Sequence, residues 1–373
     1  MITLNYRISM TLMLAVLTGP SCSETFTPND PETYNRIIWR KKHMELFVAT
    51  DIVVRNNYVY YTLYDDEWGH QRCALYSSSV KDGRLKWVHR SSDYAELSSA
   101  AVGDEKIFIN GYGDLISLDI SSGKELWRQH CGQVIYGVQT PVLLDGSVYV
   151  VAEELRAGDL FQSYEAKSGT RLWDIKTEPF EYGLSVGEGS VYFVTNYGAL
   201  TNIDIQSRSE KWRHQYDAMD GGFITAPTAA EGVVCVGGAN YGSEGNQLYS
   251  IDIHNGNILW KYETPGAIRN AAEISDGVVY FGSDDGMFYA LQVHTGSLIW
   301  KYKMQGAVST RAVIDEGVAY LGCKDRYVYA IDIDAGKLLW RILTEAEVTS
   351  TPTVDEGVLY VGSGSYLYAI RAH

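Results

Sequence analysis

A pattern of alternating apolar and polar positions, interrupted by glycine-containing turns, recurs along most of the chain. In its clearest copy, residues 277–283 and 287–291 predict two strands around a tight turn at 284–286, and an outer strand ends at Trp300. The same order appears at 317–340 and at 232–260. The pattern therefore predicts repeated groups of short strands joined by tight turns.

Tryptophans mark the end of each group. Eight of them are separated by 48, 40, 46, 39, 48, 40 and 40 residues: Trp39, Trp87, Trp127, Trp173, Trp212, Trp260, Trp300 and Trp340. A period of about 40–45 residues is typical of a β-propeller, in which each repeat forms one blade. We expect each indole ring to cover a strand edge and to pack against the neighbouring blade.

A glycine stands four residues before most of these tryptophans. Such a glycine permits a positive φ in the turn that leads into the outer strand. The glycines at this position are Gly83, Gly123, Gly169, Gly256, Gly296 and Gly336. Asn35 replaces it before Trp39, and asparagine tolerates the same conformation. Arg208 replaces it before Trp212, so we expect blade 4 to use a different turn.

The two ends of the repeat array complete each other. The segment that ends at Trp39 has no strands before it, and residues 348–370 contain three strands with no tryptophan after them. We therefore predict an all-β, eight-bladed propeller in which an N-terminal strand completes the last blade.

These residues resemble the PQQ-type (pyrroloquinoline quinone) propeller repeat, whose pattern is Tyr-Ala-x-Asp-x-x-x-Gly-x-x-x-Trp. A clear copy here begins at Tyr329 and ends at Trp340. The resemblance covers nearly all of the chain after residue 33. Because the repeated residues are structural, the resemblance is a strong indication of the fold and a weak indication of any binding or catalytic activity.

The N-terminus has the features of an export signal. Arg7 precedes the apolar run 10–17, which is too short to span a bilayer, and small residues then lead to Cys22. We predict a signal peptide at 1–22, with Cys22 as a candidate for lipidation, then a polar tether at 23–35 and the propeller at 36–373. A cytoplasmic N-terminus that happens to be apolar is the alternative.

Charge and cysteine content exclude several classes of protein. The net charge of −15 makes nucleic acid an improbable partner, because an acidic surface repels phosphates. No CxxC and no Cys/His cluster with zinc spacing occurs, so we expect no metal site. The cysteines inside the repeats are expected to be small buried thiols rather than a disulfide framework.

Two functions follow from the resemblance. Quinoprotein dehydrogenases hold PQQ and calcium over the channel, but this chain lacks their adjacent cysteine pair. Lipoproteins of the BamB type are similar in blade number, length and N-terminal organisation, and they bind a partner protein. We therefore expect an exported, monomeric scaffold in the periplasm or anchored to the outer membrane, which binds another envelope protein and carries no cofactor. A PQQ enzyme and a propeller that binds carbohydrate or a small ligand remain alternatives.

Candidate binding residues lie in two places. The hairpins between the second and third strands are longer in blades 1, 3 and 5, and tolerated surface insertion is the alternative explanation. The residues that we single out in them are Trp68, Glu154, Arg156 and Tyr241.

The second place is the mouth of the central channel. There the sequence places two arginines on adjacent blades, and they would repel each other unless an anion or an acidic group lies between them. They could bind a carboxylate or an acidic loop of a partner, or they could pair internally, for example with Glu273 or Asp51. The candidate residues at the mouth are Arg269, Asn270, Glu273 and Arg311.

Overall fold

A computed structural model describes residues 35–43, 46–48, 51–65, 72–90, 97–111, 113–132, 140–154, 158–178, 180–195, 198–215, 221–240 and 246–373. Within these residues all regular structure is β-strand. No helix long and apolar enough to cross a membrane is found among them. The predicted all-β class is confirmed.

The strands form eight sheets, one per blade. Blade 1 contains β2 (Leu46–Val48), β3 (Val53–Arg55), β4 (Tyr58–Asp65), β5 (Arg72–Ser79) and β6 (Leu85–Arg90). Blade 2 contains β7 (Ala101–Val102), β8 (Lys106–Gly111), β9 (Asp114–Asp119) and β10 (Glu125–His130). Blade 3 contains β11 (Val142–Leu144), β12 (Ser147–Glu154), β13 (Gly158–Glu165) and β14 (Arg171–Thr177). Blade 4 contains β15 (Phe180–Gly187), β16 (Ser190–Thr195), β17 (Ala199–Asp204) and β18 (Ser209–Gln215).

The second half of the ring repeats this order. Blade 5 contains β19 (Gly221–Phe223), β20 (Thr228–Ala230), β21 (Val233–Asn240), β22 (Asn246–Asp252) and β23 (Ile258–Thr264). Blade 6 contains β24 (Glu273–Ser275), β25 (Val278–Gly282), β26 (Met287–Gln292) and β27 (Leu298–Lys303). Blade 7 contains β28 (Val313–Asp315), β29 (Val318–Gly322), β30 (Tyr327–Asp332) and β31 (Lys337–Leu343). Blade 8 contains β32 (Thr353–Asp355), β33 (Val358–Ser363), β34 (Tyr366–Arg371) and β1 (Ile37–Lys42).

The first strand of the chain closes the ring. β1 pairs antiparallel with β34, with Arg40 opposite Tyr368, so the N-terminal strand is the outer strand of blade 8. Ile52 and Tyr61 of blade 1 share a core cluster with Tyr360 and Leu367 of blade 8. The predicted closure is confirmed.

Six of the eight outer-strand tryptophans pack on the glycine turn of the next blade. The six glycines have φ between +63° and +75°. A Cβ on Gly123 would lie 2.5 Å from the ring of Trp87, and one on Gly336 would lie 2.6 Å from Trp300. Glycine is therefore required for the positive φ and also for the close approach of the ring.

The expectation that Arg208 imposes a different turn on blade 4 is wrong. Arg208 adopts φ +58°, and its amide donates to Asp204 O at 2.9 Å, as Gly256 does to Asp252 O at 3.0 Å. The Arg208 guanidinium lies 5.7 Å from the ring centroid of Trp173. This cation–π contact offsets part of the strain of a non-glycine residue in the left-handed region.

The core consists of apolar clusters between neighbouring blades. One cluster joins Tyr280 and Phe288 of blade 6 to Leu321 and Tyr329 of blade 7. The four cysteines of the described residues are buried thiols that form no disulfide, as expected: Cys73, Cys131, Cys235 and Cys323.

Candidate functional site

One face of the ring carries both the connections between blades and the hairpins between second and third strands. In blade 6, the amide of Asp284 in this hairpin donates to Ala267 O, in the connection from blade 5, at 2.8 Å. In blade 7, the amide of Lys324 donates to Ala307 O at 3.0 Å in the same way. We call this side the connection face.

The strands that form the hairpins of the connection face differ in length from blade to blade. The second strands β4, β12 and β21 have eight residues each, whereas β25 and β29 have five. Blades 1 and 5 also carry an additional short strand, β2 and β19, which pairs with the extended part of the second strand. In blades 1, 3 and 5, where the sequence predicts longer hairpins, the second strands are therefore longer than those of blades 6 and 7.

The innermost strands form the wall of the channel. Ile274 of β24 and Ile314 of β28 pack into the core. Because side chains alternate along a strand, their neighbours Glu273 and Val313 lie on the other face of each sheet. β24 and β28 contact each other, so Glu273 of blade 6 lies close to the innermost strand of blade 7.

Arg311 and Glu273 form an ion pair across the interface between blades 6 and 7. Arg311 Nε and Nη2 lie 2.7 and 2.5 Å from Glu273 Oε2. The Glu273 side chain is only 22% exposed, so the arginine offsets the cost of its partial burial. The pair ties two blades together and contributes no net charge to the channel wall.

Arg269 pairs with a residue that the sequence did not single out. Its Nε lies 2.5 Å from Asp284 Oδ2, in the hairpin of the same blade. The Arg269 side chain remains 60% exposed, and its terminal nitrogens can still donate to a ligand on the connection face. The sequence pattern predicts only a turn at residues 284–286, and nothing in that motif marks Asp284 as the partner of Arg269.

The two arginines are thus both paired internally. The acidic partner of Arg311 is Glu273, one of the two residues expected, whereas Arg269 pairs with Asp284 rather than with Glu273 or Asp51. Asn270 Nδ2 lies 3.5 Å from Val308 O, a long contact towards blade 7. A ligand at this mouth would meet guanidinium donors without a net positive charge.

Tyrosine–aspartate pairs hold the two low hairpins. Tyr289 donates to Asp285 Oδ2 at 2.6 Å, and Tyr329 donates to Asp325 Oδ2 at 2.5 Å. Burial, and secondly the hydrogen bond to the carboxylate, raise the pKa of both tyrosine hydroxyls. Both phenols therefore stay protonated and act as fixed structural donors.

The remaining candidate residues are not brought to this mouth by the described structure. Cys22, Trp68, Arg156 and Tyr241 lie outside the described residues. The backbone of Glu154 ends β12, and its side chain also falls outside what is described. Their role in binding stays a prediction.

The described residues do not fit a calcium–quinone site. Nowhere in the described ranges do three His, Cys, Asp or Glu side chains lie together so that they could hold a metal ion. The carboxylates Glu273 and Asp284 are occupied by arginines. The expectation that the chain carries no cofactor remains a prediction.

Comparison with known proteins identifies the family to which the repeats belong. The family model described as outer membrane protein assembly factor BamB matches residues 95–179, 156–308 and 303–373. Outer membrane protein assembly factor BamB of Moranella endobia is 26% identical over 197 residues, which cover 49% of this chain and 49% of that protein. The chain thus matches about half the length of this curated relative.

Solved structures show the same fold. BamB from Moraxella catarrhalis matches with a TM-score of 0.65 and 17% identity, over 89% of this chain and 96% of that chain. The quinohemoprotein alcohol dehydrogenase of Comamonas testosteroni matches with a TM-score of 0.70 and 13% identity, over 91% of this chain and 77% of that chain. At these identities the likeness shows the fold alone. The family model covers most of the propeller, however, and the chain therefore belongs to the family of outer membrane protein assembly factor BamB.

Proposed function

We propose that this chain is an exported propeller that binds another envelope protein and supports the assembly of outer-membrane proteins. The observation that carries the proposal is the family match, which extends over residues 95–373. The geometry of the connection face supports it, because the long strands of blades 1, 3 and 5 and the exposed Arg269 of blade 6 give an uneven, partly charged surface suited to a protein partner.

The partner should bind the connection face. A photo-crosslinking amino acid at position 269 tests this in intact cells, and the same group at position 276 is the matched control. Asp276 lies in the turn between β24 and β25 of the same blade, at the other end of these strands. We expect position 269 to capture a specific envelope protein, identified by mass spectrometry, and position 276 not to do so.

Loss of the chain should then lower the amount of folded outer-membrane proteins. Heat-modifiability on gels measures that amount in cells with and without the gene. Unchanged folded outer-membrane proteins, or equal capture from positions 269 and 276, would contradict the proposal.

The same proposal includes lipid anchoring at Cys22. Small residues precede this cysteine and a polar segment follows it. Cys22→Ala should move the protein from the membrane fraction to the soluble fraction while thermal unfolding stays unchanged. Equal membrane retention by the variant would rule out the anchor and leave export without lipid.

A quinoprotein activity is the alternative, and no described cluster of residues favours it. Purified protein mixed with PQQ and calcium should show no quinone absorbance after gel filtration and no dye reduction with alcohols or sugars. Sustained turnover would favour the enzyme over the scaffold.

A further inference from the structure

A tryptophan hydrogen bond joins most neighbouring blades. The indole Nε1 donates, at 2.7–3.2 Å, to the carbonyl that directly follows the third strand of the next blade. These six bonds run from Trp39 to Val80, Trp87 to Ile120, Trp212 to Ile253, Trp260 to Val293, Trp300 to Ile333 and Trp340 to Ala372. In blade 5 the residue opposite the tryptophan adds a second donor, because Ser250 Oγ lies 3.4 Å from Val293 O.

The interface between blades 2 and 3 lacks this bond. Trp127 Nε1 is buried and has no hydrogen-bond partner. The equivalent carbonyl, Ala166 O, accepts from Lys106 Nζ at 3.3 Å, and the same ammonium donates to Lys167 O at 2.6 Å. Ser117, which lies opposite Trp127, has a buried hydroxyl that is also without a partner.

The interface between blades 3 and 4 lacks it as well. Trp173 makes no hydrogen bond to Ile205 O, and its ring lies against the guanidinium of Arg208 instead of a glycine turn. Ser163, opposite Trp173, again has a buried hydroxyl without a partner. The innermost strands β11 and β15 also contact each other less than the other neighbouring innermost strands do.

We propose that blade 3 is the mobile blade of this ring. Among the eight blades it is the one whose interfaces on both sides lack the tryptophan bond within the described residues. Buried donors without partners lower the free energy needed to separate two surfaces, because water can hydrogen-bond them once the interface opens. The two interfaces of blade 3, with blade 2 and with blade 4, therefore open more often than the other interfaces between neighbouring blades.

Motion of blade 3 would change the conformation of the connection face, because blade 3 carries one of its long hairpins, formed by β12 and β13. A mobile blade lets that hairpin change its height relative to the rest of the face. The inference does not rest on the proposed function.

The chain contains its own reporters for this motion. Cys131 is buried in the cluster between blades 2 and 3, and Cys323 in the cluster between blades 6 and 7, where Trp300 makes its bond. Native protein is treated with N-ethylmaleimide, and labelling of each cysteine is followed over time by peptide mass spectrometry. We expect Cys131 to react about tenfold faster than Cys323, the ratio given by the loss of one to two hydrogen bonds.

The polar contacts that remain at this interface should limit the motion. Lys106→Met keeps the aliphatic stem but removes both hydrogen bonds of the ammonium to blade 3, so labelling of Cys131 should become several-fold faster. Lys124→Met in the same blade, whose ammonium contacts no carbonyl of blade 3, is the matched control and should change nothing.

The other interface has an independent test. Arg208→Gly allows Trp173 to close on the turn as at the other interfaces, and hydrogen exchange of β12 and β13 should slow towards that of β29 and β30. Equal labelling of Cys131 and Cys323 in the native protein would overturn the proposal. So would unchanged exchange and labelling in both variants when each is fully folded.

Discussion

The outer-strand tryptophan joins two blades in two ways, through apolar contacts of its ring and through a hydrogen bond from its indole nitrogen. Its ring fills the space above a glycine of the next blade, and its Nε1 satisfies a carbonyl there. Apolar burial holds the ring in place, and the hydrogen bond fixes its angle. The bond is present at six interfaces, whereas Trp127 Nε1 has no hydrogen-bond partner, so otherwise equivalent tryptophans are unequal.

Removing the indole nitrogen should therefore have different effects at different interfaces. Trp260→Phe loses the 2.8 Å bond to Val293 O and should destabilise the protein by about 1 kcal/mol beyond the change in ring size. Trp127→Phe removes a donor that is already unpaired, so only the change in ring size should alter the free energy of unfolding. Urea unfolding of the two variants measures the difference, and equal losses would show that the bond contributes nothing.

His43 gives the closure a dependence on pH. It is 7% exposed and packs edge-on against Tyr61 and Tyr76, and its Nε2 has no hydrogen-bond partner. Burial, and secondly the nearby charge of Lys41, lower the pKa of His43 to about 4 from 6.5. The unfolded chain then binds the proton more readily, so this stability is complete above pH 6.5 and is lost as pH falls through about 4.

The shift corresponds to about 3 kcal/mol when the loss is complete. His43→Phe keeps the ring contacts and should lose less stability than the unchanged protein between pH 7 and pH 4, as measured by urea unfolding at both values. A slope identical to that of the original chain would mean that His43 does not titrate against folding.

At the level of the element, β1 is held by contacts to two blades. It pairs with β34 of blade 8, and Trp39 Nε1 donates to Val80 O of blade 1 at 2.8 Å. Arg40 adds an ion pair to Glu345 at 2.7 Å. β1 therefore contributes to the stability of the closed ring, although it lies near one end of the sequence.

Trp39→Ala should cost about 3 kcal/mol, because the cavity would open at the junction where the ring closes. Deletion of residues 1–42 should lower the melting temperature further and expose the edge of β34 to aggregation. Calorimetry and light scattering report the two effects. A melting temperature unchanged by the deletion would mean that blade 8 closes without β1.

At the level of the whole molecule, the two faces of the ring differ in the length of their hairpins and turns and in the charged residues that they carry. The connection face carries the long hairpins and the exposed Arg269. The opposite face carries short turns with acidic residues in the left-handed conformation, such as Glu231, Asp276 and Glu316. A partner protein is therefore expected to bind the connection face rather than the opposite face.

The double variant Arg269→Ala with Arg311→Ala tests the channel mouth. It should weaken capture of the partner several-fold while the protein stays folded, although Glu273 loses its ion pair and some stability with it. Arg55→Ala, which removes an ion pair with Asp104 in the turns of the opposite face, is the matched control. Lower stability with undiminished capture would make the two arginines structural and place the binding surface elsewhere.

The periodicity of tryptophan and glycine was sufficient to predict eight blades and the closure by β1, because each repeat must bury its apolar face against the next. The pattern failed at Arg208, since sequence rules assign the left-handed region to glycine and asparagine, whereas a cation–π contact to Trp173 accommodates arginine there.

Only the tertiary structure decided how the polar groups are paired. The sequence places Arg269 near the channel mouth but does not say that Asp284, fifteen residues later, reaches it. Nor does it show that Lys106 donates to Ala166 O while Trp127 Nε1 stays without a partner. Periodic apolar burial is encoded locally and repeats in every blade, whereas each of these pairings depends on which donor and acceptor the assembled ring brings within hydrogen-bond distance.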